Sequence, residues 1–155
     1  MTVSQAKRKR LLAVSSGGGH WVQLQRLCPA FEGWEVAYAT VDADQRLQVG
    51  ASRFHLIADG SMWEKLQLVR LAWSVLKVVL RERPAVVIST GAAPGYFALL
   101  FGKLIGASTI WVDSIANAEE LSLSGRKVRR FADLWLTQWP DLVREGGPEY
   151  AGAVF

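Results

Sequence analysis

The sequence predicts an α/β domain built on a Rossmann-like, doubly wound parallel sheet of about six strands. Short apolar runs alternate along the chain with longer amphipathic segments, as expected when each strand is followed by a helix. Residues 85–90 form a largely β-branched run, which is typical of a central parallel strand buried on both faces. Glycine-rich stretches follow two of the apolar runs, at 17–19 and 91–95, where such a sheet places its ligand-binding loops.

The first unit is an apolar strand over 11–14, a glycine loop, and a helix over 21–31. Gly17, Gly18 and Gly19 let a ligand approach the main chain, and the free N–H groups at the start of the helix suit a phosphate. The loop matches neither the G-x-G-x-x-G pattern nor the P-loop pattern with its lysine. A turn that needs glycine for its geometry alone therefore remains an alternative to a binding loop.

The later elements continue the alternation. Residues 41–48 are predicted as a short helix or loop, and residues 114–124 as a polar loop. Further strands are predicted over 34–40, 53–58, 85–90, 108–112 and 134–137, with a last one beginning at 151. Helices are predicted over 62–83, 96–105 and 125–132, with a short one opening at 138.

Length and composition indicate one domain over 11–155, preceded by a basic, mobile arm over 1–10. The single cysteine, Cys28, excludes an internal disulfide and fits a reducing compartment. No signal peptide and no membrane-spanning stretch are expected. The net charge of +4 permits an anionic partner, such as nucleic acid, an acidic membrane surface or a phosphorylated substrate.

The helix predicted over 62–83 has more apolar surface than packing on one sheet requires. Trp63, Trp73 and Leu76 lie beside Lys77 and Arg81, which is the pattern of a helix at a membrane surface or under a partner. The alternative is a helix buried on two sides of a larger fold. The sequence leaves both interpretations open.

Three motifs together resemble a known family. They are SSGGGH at 15–20, ISTGAAPG at 88–95, and DSIANAEELSLSGR at 113–126 followed by ADLWLTQWP at 132–140. The chain resembles the acceptor-binding half of a GT-B glycosyltransferase, in particular the small subunit of the two-chain enzyme that extends dolichol-pyrophosphate-N-acetylglucosamine. Bacterial relatives of the PssD type act in exopolysaccharide assembly, and the N-terminal half of MurG is more distantly similar.

This resemblance implies a heterodimer in which a partner subunit binds the UDP-sugar and this chain binds a polyprenyl-pyrophosphate-linked saccharide. It also implies a peripheral protein on the cytoplasmic face of a bacterial inner membrane. The partner interface is expected at Gln138, Trp139 and Pro140. Acceptor and phosphate contacts are expected from Ser16, Gly17, Gly18, Gly19, Thr90, Gly91, Ser114, Asn117 and Ser122. No cofactor and no metal site are expected, because no Cys, His or acidic cluster has metal-ligand spacing.

Transfer to a hydroxyl needs a base, and Asp113 and His20 are the two candidates. Asp113 ends a predicted strand at the carboxyl edge of the sheet, so we expect it to act as base. His20 would then contact the acceptor phosphate or relay a proton. Alternatively, Asp113 caps a loop and His20 only donates a hydrogen bond.

Three other functions were weighed. A non-catalytic membrane adaptor that only recruits a partner remains an alternative. A nucleic-acid-binding domain is disfavoured, because the basic residues are scattered and have no stacking platform or reader motif. A nucleotide-binding Rossmann enzyme is disfavoured by the glycine spacing.

Overall fold

The computed structural model describes residues 9–61 and 63–154, which form a seven-stranded parallel sheet. Its strands run in the order β3-β2-β1-β4-β5-β6-β7 across the sheet. The first six follow the order of a doubly wound Rossmann sheet, and the predicted fold class is confirmed. The strands are β1 (Arg10–Val14), β2 (Glu35–Thr40), β3 (Arg53–Leu56), β4 (Val86–Ser89), β5 (Ser108–Val112), β6 (Leu134–Thr137) and β7 (Glu149–Tyr150).

Helices cover both faces of this sheet. Short 3₁₀ turns supplement them over Cys28–Phe31, Ala43–Gln48, Val128–Arg130 and Pro140–Leu142. The α-helices are α1 (Gly19–Arg26), α2 (Lys65–Glu82), α3 (Ala92–Leu104) and α4 (Leu123–Lys127).

The core has two halves because successive residues of a strand point to opposite faces. Leu11 and Ala13 of β1 pack with Trp21 and Leu24 of α1 on one face. Leu12 and Val14 pack on the other face with residues of α2 and α3, including Leu71, Val75 and Leu99. Burial on both faces explains why β1 and β4 are continuous apolar runs instead of alternating ones.

Several predicted element bounds were wrong, and proline or glycine explains most of the differences. α1 begins at Gly19 and ends at Arg26, well before the predicted end at Phe31. Pro29 lacks the N–H that would continue the helix, and a 3₁₀ turn takes over. α3 begins at Ala92, inside the predicted loop 91–95, because Pro94 lies in its first turn, where proline is tolerated.

The C-terminal predictions also needed correction. α4 begins at Leu123, earlier than predicted, because the Ser122 hydroxyl caps it by accepting from the Gly125 N–H. The last strand is Glu149–Tyr150, and residues 151–154 lie outside any strand. Most of the predicted basic arm, residues 1–8, lies outside the described residues, as do Met62 and Phe155. A single domain over 11–155 stays a prediction.

Candidate functional site

The candidate site lies where the strand order reverses. β1 pairs with β2 on one side and with β4 on the other, so the connections that leave β1 and β4 diverge and open a crevice. The loop of residues 15–18 follows β1, Thr90 and Gly91 follow β4, and Asp113 follows β5. The glycine loop, the β4 loop and Asp113 therefore meet at one edge of the sheet, as predicted.

His20, the second residue of α1, is held against the end of β4. Its Nδ1 lies 3.1 Å from the Thr90 carbonyl oxygen, and the Thr90 hydroxyl donates to the His20 carbonyl over 2.6 Å. A carbonyl oxygen only accepts, so Nδ1 is the ring nitrogen that donates in this contact.

Gly91 makes this contact possible. Its φ of 144° is a conformation that favours glycine, and a Cβ at this position would lie 2.4 Å from His20 Nδ1. The buried Gly91 and Thr90 therefore serve to hold the imidazole. Both residues were expected to contact the acceptor, and within the chain they contact His20.

His20 lines a cavity of about 420 Å³, which we call the His20 cavity. This volume is in the range of small-molecule sites. Ser114, Asn117 and Ser122, all three expected to contact the acceptor, line it. The complete lining is His20, Gly60, Ser61, Trp63, Ala92, Ala93, Ser114, Ala116, Asn117, Ser122, Leu123 and Ser124.

The glycine loop lies beside this cavity and opens to solvent. Gly18 and Gly19 are exposed, and a Cβ on either would meet nothing within 4 Å. Gly18 is the N-cap of α1 at φ 63° and supplies no side-chain cap, so the first N–H groups of the helix are open to a ligand. Ser16 and Gly17 are half-buried.

The side chain of Asp113 does not line the His20 cavity, although Asp113 was expected to act as the base. Its side chain is buried, with 1% of the residue exposed. Oδ1 accepts from Trp111 Nε1 at 3.0 Å and from the Ser122 hydroxyl at 2.6 Å. Oδ2 accepts from the Ser122 N–H at 3.0 Å and from Asn117 Nδ2 at 3.2 Å. Four donors therefore occupy the carboxylate, and the geometry matches the alternative in which Asp113 organises the loop.

Gln23 is a functional candidate that the sequence analysis missed. It is buried one turn after His20. Its Nε2 donates to the Ser114 hydroxyl over 3.1 Å, and its Oε1 accepts from the Ile115 N–H at 3.0 Å. These bonds tie α1 to the loop on the far side of the His20 cavity. In the sequence, the signal that could have pointed to Gln23 is a glutamine among the apolar residues of a predicted helix.

Gln138 joins the same network. Its side chain is buried and donates to Gln23 Oε1 at 2.6 Å and to the Asp113 carbonyl at 2.9 Å. Its Oε1 accepts from the Val154 N–H at 2.8 Å. Trp139 donates through its indole N–H to the Ile115 carbonyl over 2.7 Å, and Pro140 is exposed. Gln138 and Trp139 thus stabilise the loop after β5 by hydrogen bonds within the chain. A partner contact at 138–140 stays a prediction.

α2 presents an apolar stripe to solvent on the side opposite its buried face. Trp63, which precedes the helix, is 85% exposed and also lines the His20 cavity. Within the helix the exposed apolar residues follow a spacing of three, four and seven, at Leu66, Val69, Trp73 and Leu80. Lys77 and Arg81 are exposed beside the stripe, while Leu76 is half-buried.

Residues 9–61 and 63–154 contain no group of three or more His, Cys, Asp or Glu side chains placed to hold a metal ion. No helix in this part of the chain combines the length and hydropathy needed to cross a membrane.

Solved structures share the fold. MurG of Acinetobacter baumannii superimposes with a TM-score of 0.76 at 11% identity, over 93% of this chain and 45% of that one. UDP-GlcNAc 2-epimerase of Methanocaldococcus jannaschii gives a TM-score of 0.62 at 15% identity, over 83% of this chain and 39% of that one. At these identities the likeness concerns the fold alone.

Sequence relatives carry one common name, UDP-N-acetylglucosamine transferase subunit ALG14. The Mus musculus protein is 26% identical over 90% of this chain and 80% of its own length. The Yarrowia lipolytica protein is 36% identical over 45% of this chain and 35% of its own length. This chain thus spans about a third of the Yarrowia protein.

A family model described as "Oligosaccharide biosynthesis protein Alg14 like" matches residues 59–154. The matched region begins just before α2 and includes Asp113, the Leu-Ser-Leu-Ser-Gly block at 121–125 and the Gln-Trp-Pro block at 138–140. It leaves out the glycine loop at 15–20. Because the match covers more than half of the sequence, this protein belongs to the Alg14 family.

Proposed function

We propose that this chain is the acceptor-binding subunit of a two-component glycosyltransferase. In this proposal a partner subunit binds a UDP-sugar, and this chain binds a polyprenyl-pyrophosphate-linked saccharide at the membrane surface. The observation that carries the proposal is the His20 cavity, which is lined by the His20 imidazole and by the exposed Trp63, the residue that leads into α2. The names of the relatives support UDP-N-acetylglucosamine as the donor.

His20 is the residue that we assign to the chemistry. An acceptor hydroxyl attacks the anomeric carbon of the donor sugar, and the bond from that carbon to the UDP oxygen breaks as the new C–O bond forms. His20 Nε2 takes the hydroxyl proton, while the Thr90 carbonyl holds the Nδ1–H side of the ring. This assignment reverses the roles expected from the sequence, because the Asp113 carboxylate is buried and occupied by four donors.

The acceptor pyrophosphate would lie against the glycine loop. The open N–H groups at the start of α1 and the positive end of its dipole favour a phosphate there. Gly18 and Gly19 would contribute main-chain groups that no neighbouring side chain blocks, and the half-buried Ser16 and Gly17 would approach the phosphate from the preceding part of the loop. Ser114, Asn117 and Ser122 line the His20 cavity and offer polar atoms to the saccharide.

The polyprenyl chain would leave past Trp63 onto the apolar stripe of α2. Trp63 lines the His20 cavity and is followed by Leu66, which is 83% exposed. Lys77 and Arg81 add positive charge at the level where acidic lipid headgroups lie. The proposal therefore places the protein peripherally on a membrane, at the cytoplasmic face of a bacterial inner membrane, in exopolysaccharide synthesis.

The proposal is tested by reconstitution. The full chain is mixed with liposomes, a polyprenyl-pyrophosphate-GlcNAc acceptor, UDP-GlcNAc and a donor-binding subunit of the same enzyme class from the same genome. We expect transfer only with both proteins present. Robust turnover by this chain alone would contradict the two-component proposal.

The same assay addresses the adaptor alternative. If the chain only recruited its partner, His20→Gln would leave turnover of the reconstituted pair unchanged. Loss of turnover with normal partner binding, measured by co-purification, supports a catalytic contribution from this subunit.

A further inference from the structure

A second cavity, separate from the His20 cavity, lies between α4 and the turn that precedes β7. We call it the arginine cavity, because Arg126, Arg129 and Arg144 line it. Its volume is about 350 Å³, and it shares no lining residue with the His20 cavity. Trp135 of β6 also lines it. Nothing in the proposed transfer reaction uses this cavity.

The charges around the arginine cavity are incompletely compensated. Arg126 lies 3.5 Å from Glu120, and both side chains are more than half exposed, so this ion pair contributes little. Within residues 9–61 and 63–154, Arg129 and Arg144 form no ion pair and no side-chain hydrogen bond. Glu145 also lines the cavity, which leaves three guanidinium groups against two carboxylates. Positively charged side chains that line one cavity repel one another, and this repulsion favours the binding of an anion.

The turn that precedes β7 packs against one of these arginines. Gly146 has a φ of 68°, and a Cβ there would lie 3.4 Å from Arg129 Nη2, so the turn lies close against that guanidinium. The Gly147 N–H closes the turn by donating to the Arg144 carbonyl over 2.9 Å. The indole ring of Trp135 also lines the cavity, but its N–H is shielded from solvent, so Trp135 contributes packing to the wall and no ligand contact.

We propose that the arginine cavity binds a phosphate-bearing ligand. Guanidinium groups match phosphate oxygens in bidentate geometry and favour them over other anions, and the volume admits a phosphate or pyrophosphate group with part of its carrier. The phosphate belongs either to a soluble metabolite or to the headgroup of an acidic lipid. This proposal stands independently of the transfer reaction.

Titration of the full chain with inorganic pyrophosphate, followed by calorimetry, tests the proposal. We expect saturable binding that weakens at least tenfold in the double variant Arg129→Gln, Arg144→Gln, since two charge-assisted contacts are lost. Arg70→Gln, at an exposed position of α2, is the matched control and should leave pyrophosphate binding unchanged.

Two results would overturn the proposal. One is the absence of saturable pyrophosphate binding by the wild-type chain. The other is binding that survives the double arginine substitution and is lost in His20→Ala, which would place the anion at the glycine loop. Thermal unfolding of each variant shows that lost binding does not reflect lost folding.

A vesicle experiment identifies the source of the phosphate. Flotation is compared on phosphatidylcholine vesicles with and without phosphatidic acid. If the double arginine variant loses only the additional flotation that phosphatidic acid produces, the ligand is a lipid headgroup. If that additional flotation is unchanged while soluble pyrophosphate binding is lost, the ligand is a soluble phosphate.

Discussion

His20 and Asp113 lie at the same edge of the sheet in opposite environments. His20 is half-buried, lines a cavity, and uses one ring nitrogen to contact the Thr90 carbonyl. Asp113 is buried and accepts hydrogen bonds at both oxygens. A group that is to accept a substrate proton must be within reach of the substrate. Only His20 meets that requirement in this arrangement.

Replacing His20 by alanine or glutamine should lower kcat of the reconstituted pair by about 10²-fold or more at saturating acceptor, because the base is lost. His55→Gln is the control, because His55 contacts Glu82 far from the site. A raised KM with normal kcat would instead make His20 a phosphate contact.

Asp113→Asn should act through folding of the loop. The amide group would direct its own donors at one of the groups that now donate to the carboxylate, which are Trp111, Asn117 and Ser122. The expected loss is about 1–3 kcal/mol of unfolding free energy, measured by denaturant titration, together with a raised KM for the acceptor. Normal stability with a 10²-fold lower kcat would show that Asp113 is the base after all.

At the scale of single elements, α2 has two distinct apolar faces. One face, with Leu71, Val75 and Val79, packs into the core. The other, with Leu66 and Trp73, is exposed. Its C-terminal end is anchored by Glu82, which binds side chains of β3. The helix therefore keeps one apolar face exposed while its position is fixed by the other.

Leu66→Glu combined with Trp73→Glu should release the chain from anionic liposomes, since two exposed apolar contacts are replaced by charges that acidic lipid repels. Leu66 is a better choice than Leu76, which is half-buried. Flotation measures the effect, and Gln67→Glu on the polar side of the helix is the control for the effect of one added negative charge. Unchanged flotation of the double variant would assign this face to another partner.

Glu82 should make stability depend on pH. Burial alone would raise the pKa of this carboxyl, but hydrogen bonds from Arg53 and His55 outweigh it, so the pKa lies below the ordinary value of 4.5. Its contribution is therefore present above pH 4.5 and is lost as the pH falls through the lowered pKa of the folded state. Denaturant titrations across this range measure the loss.

Glu82→Gln should cost about 1–3 kcal/mol at neutral pH and flatten that acid dependence. Glu64→Gln, at the exposed start of α2 with no capping bond from its side chain, is the matched control. If both variants unfold alike, the Arg53–Glu82 contact contributes nothing measurable.

At the scale of the whole molecule, one buried network joins three distant parts of the chain. Gln23 of α1, Ser114 after β5 and Gln138 after β6 are linked by direct hydrogen bonds, and Gln138 also binds Val154. Buried polar groups of this kind are costly unless every member is satisfied. The network therefore fixes the distance between the helix that bears His20 and the loop that faces it.

Gln23→Leu should loosen this arrangement while leaving His20 itself intact. We expect faster amide exchange in residues 114–121, a raised KM for the acceptor and an unchanged pH profile of kcat. Val22→Ala, on the exposed side of the same helix, is the control. An altered pH profile, or unchanged exchange in the loop, would contradict a positioning role for Gln23.

Much of the architecture was determined by local sequence patterns. β5 and β6 were predicted with their observed bounds, 108–112 and 134–137, because apolar periodicity and flanking turn residues are local signals. The start of α3 was missed because Gly91 and Pro94 are also ordinary turn residues. Only the neighbouring His20 ring explains why Gly91 must be glycine.

The candidate site, too, was predicted in part from local sequence patterns and depends in part on tertiary contacts. The sequence alone identified His20, Asp113 and the glycine loop, because strand ends of a parallel sheet converge. Tertiary structure decided which of the two candidate bases faces a cavity, since Asp113 is buried by Trp111, Asn117 and Ser122. It also revealed Gln23 and the arginine cavity. Both depend on contacts between residues far apart in the chain, such as 23 with 138 and 129 with 146, and no local pattern encodes such distances.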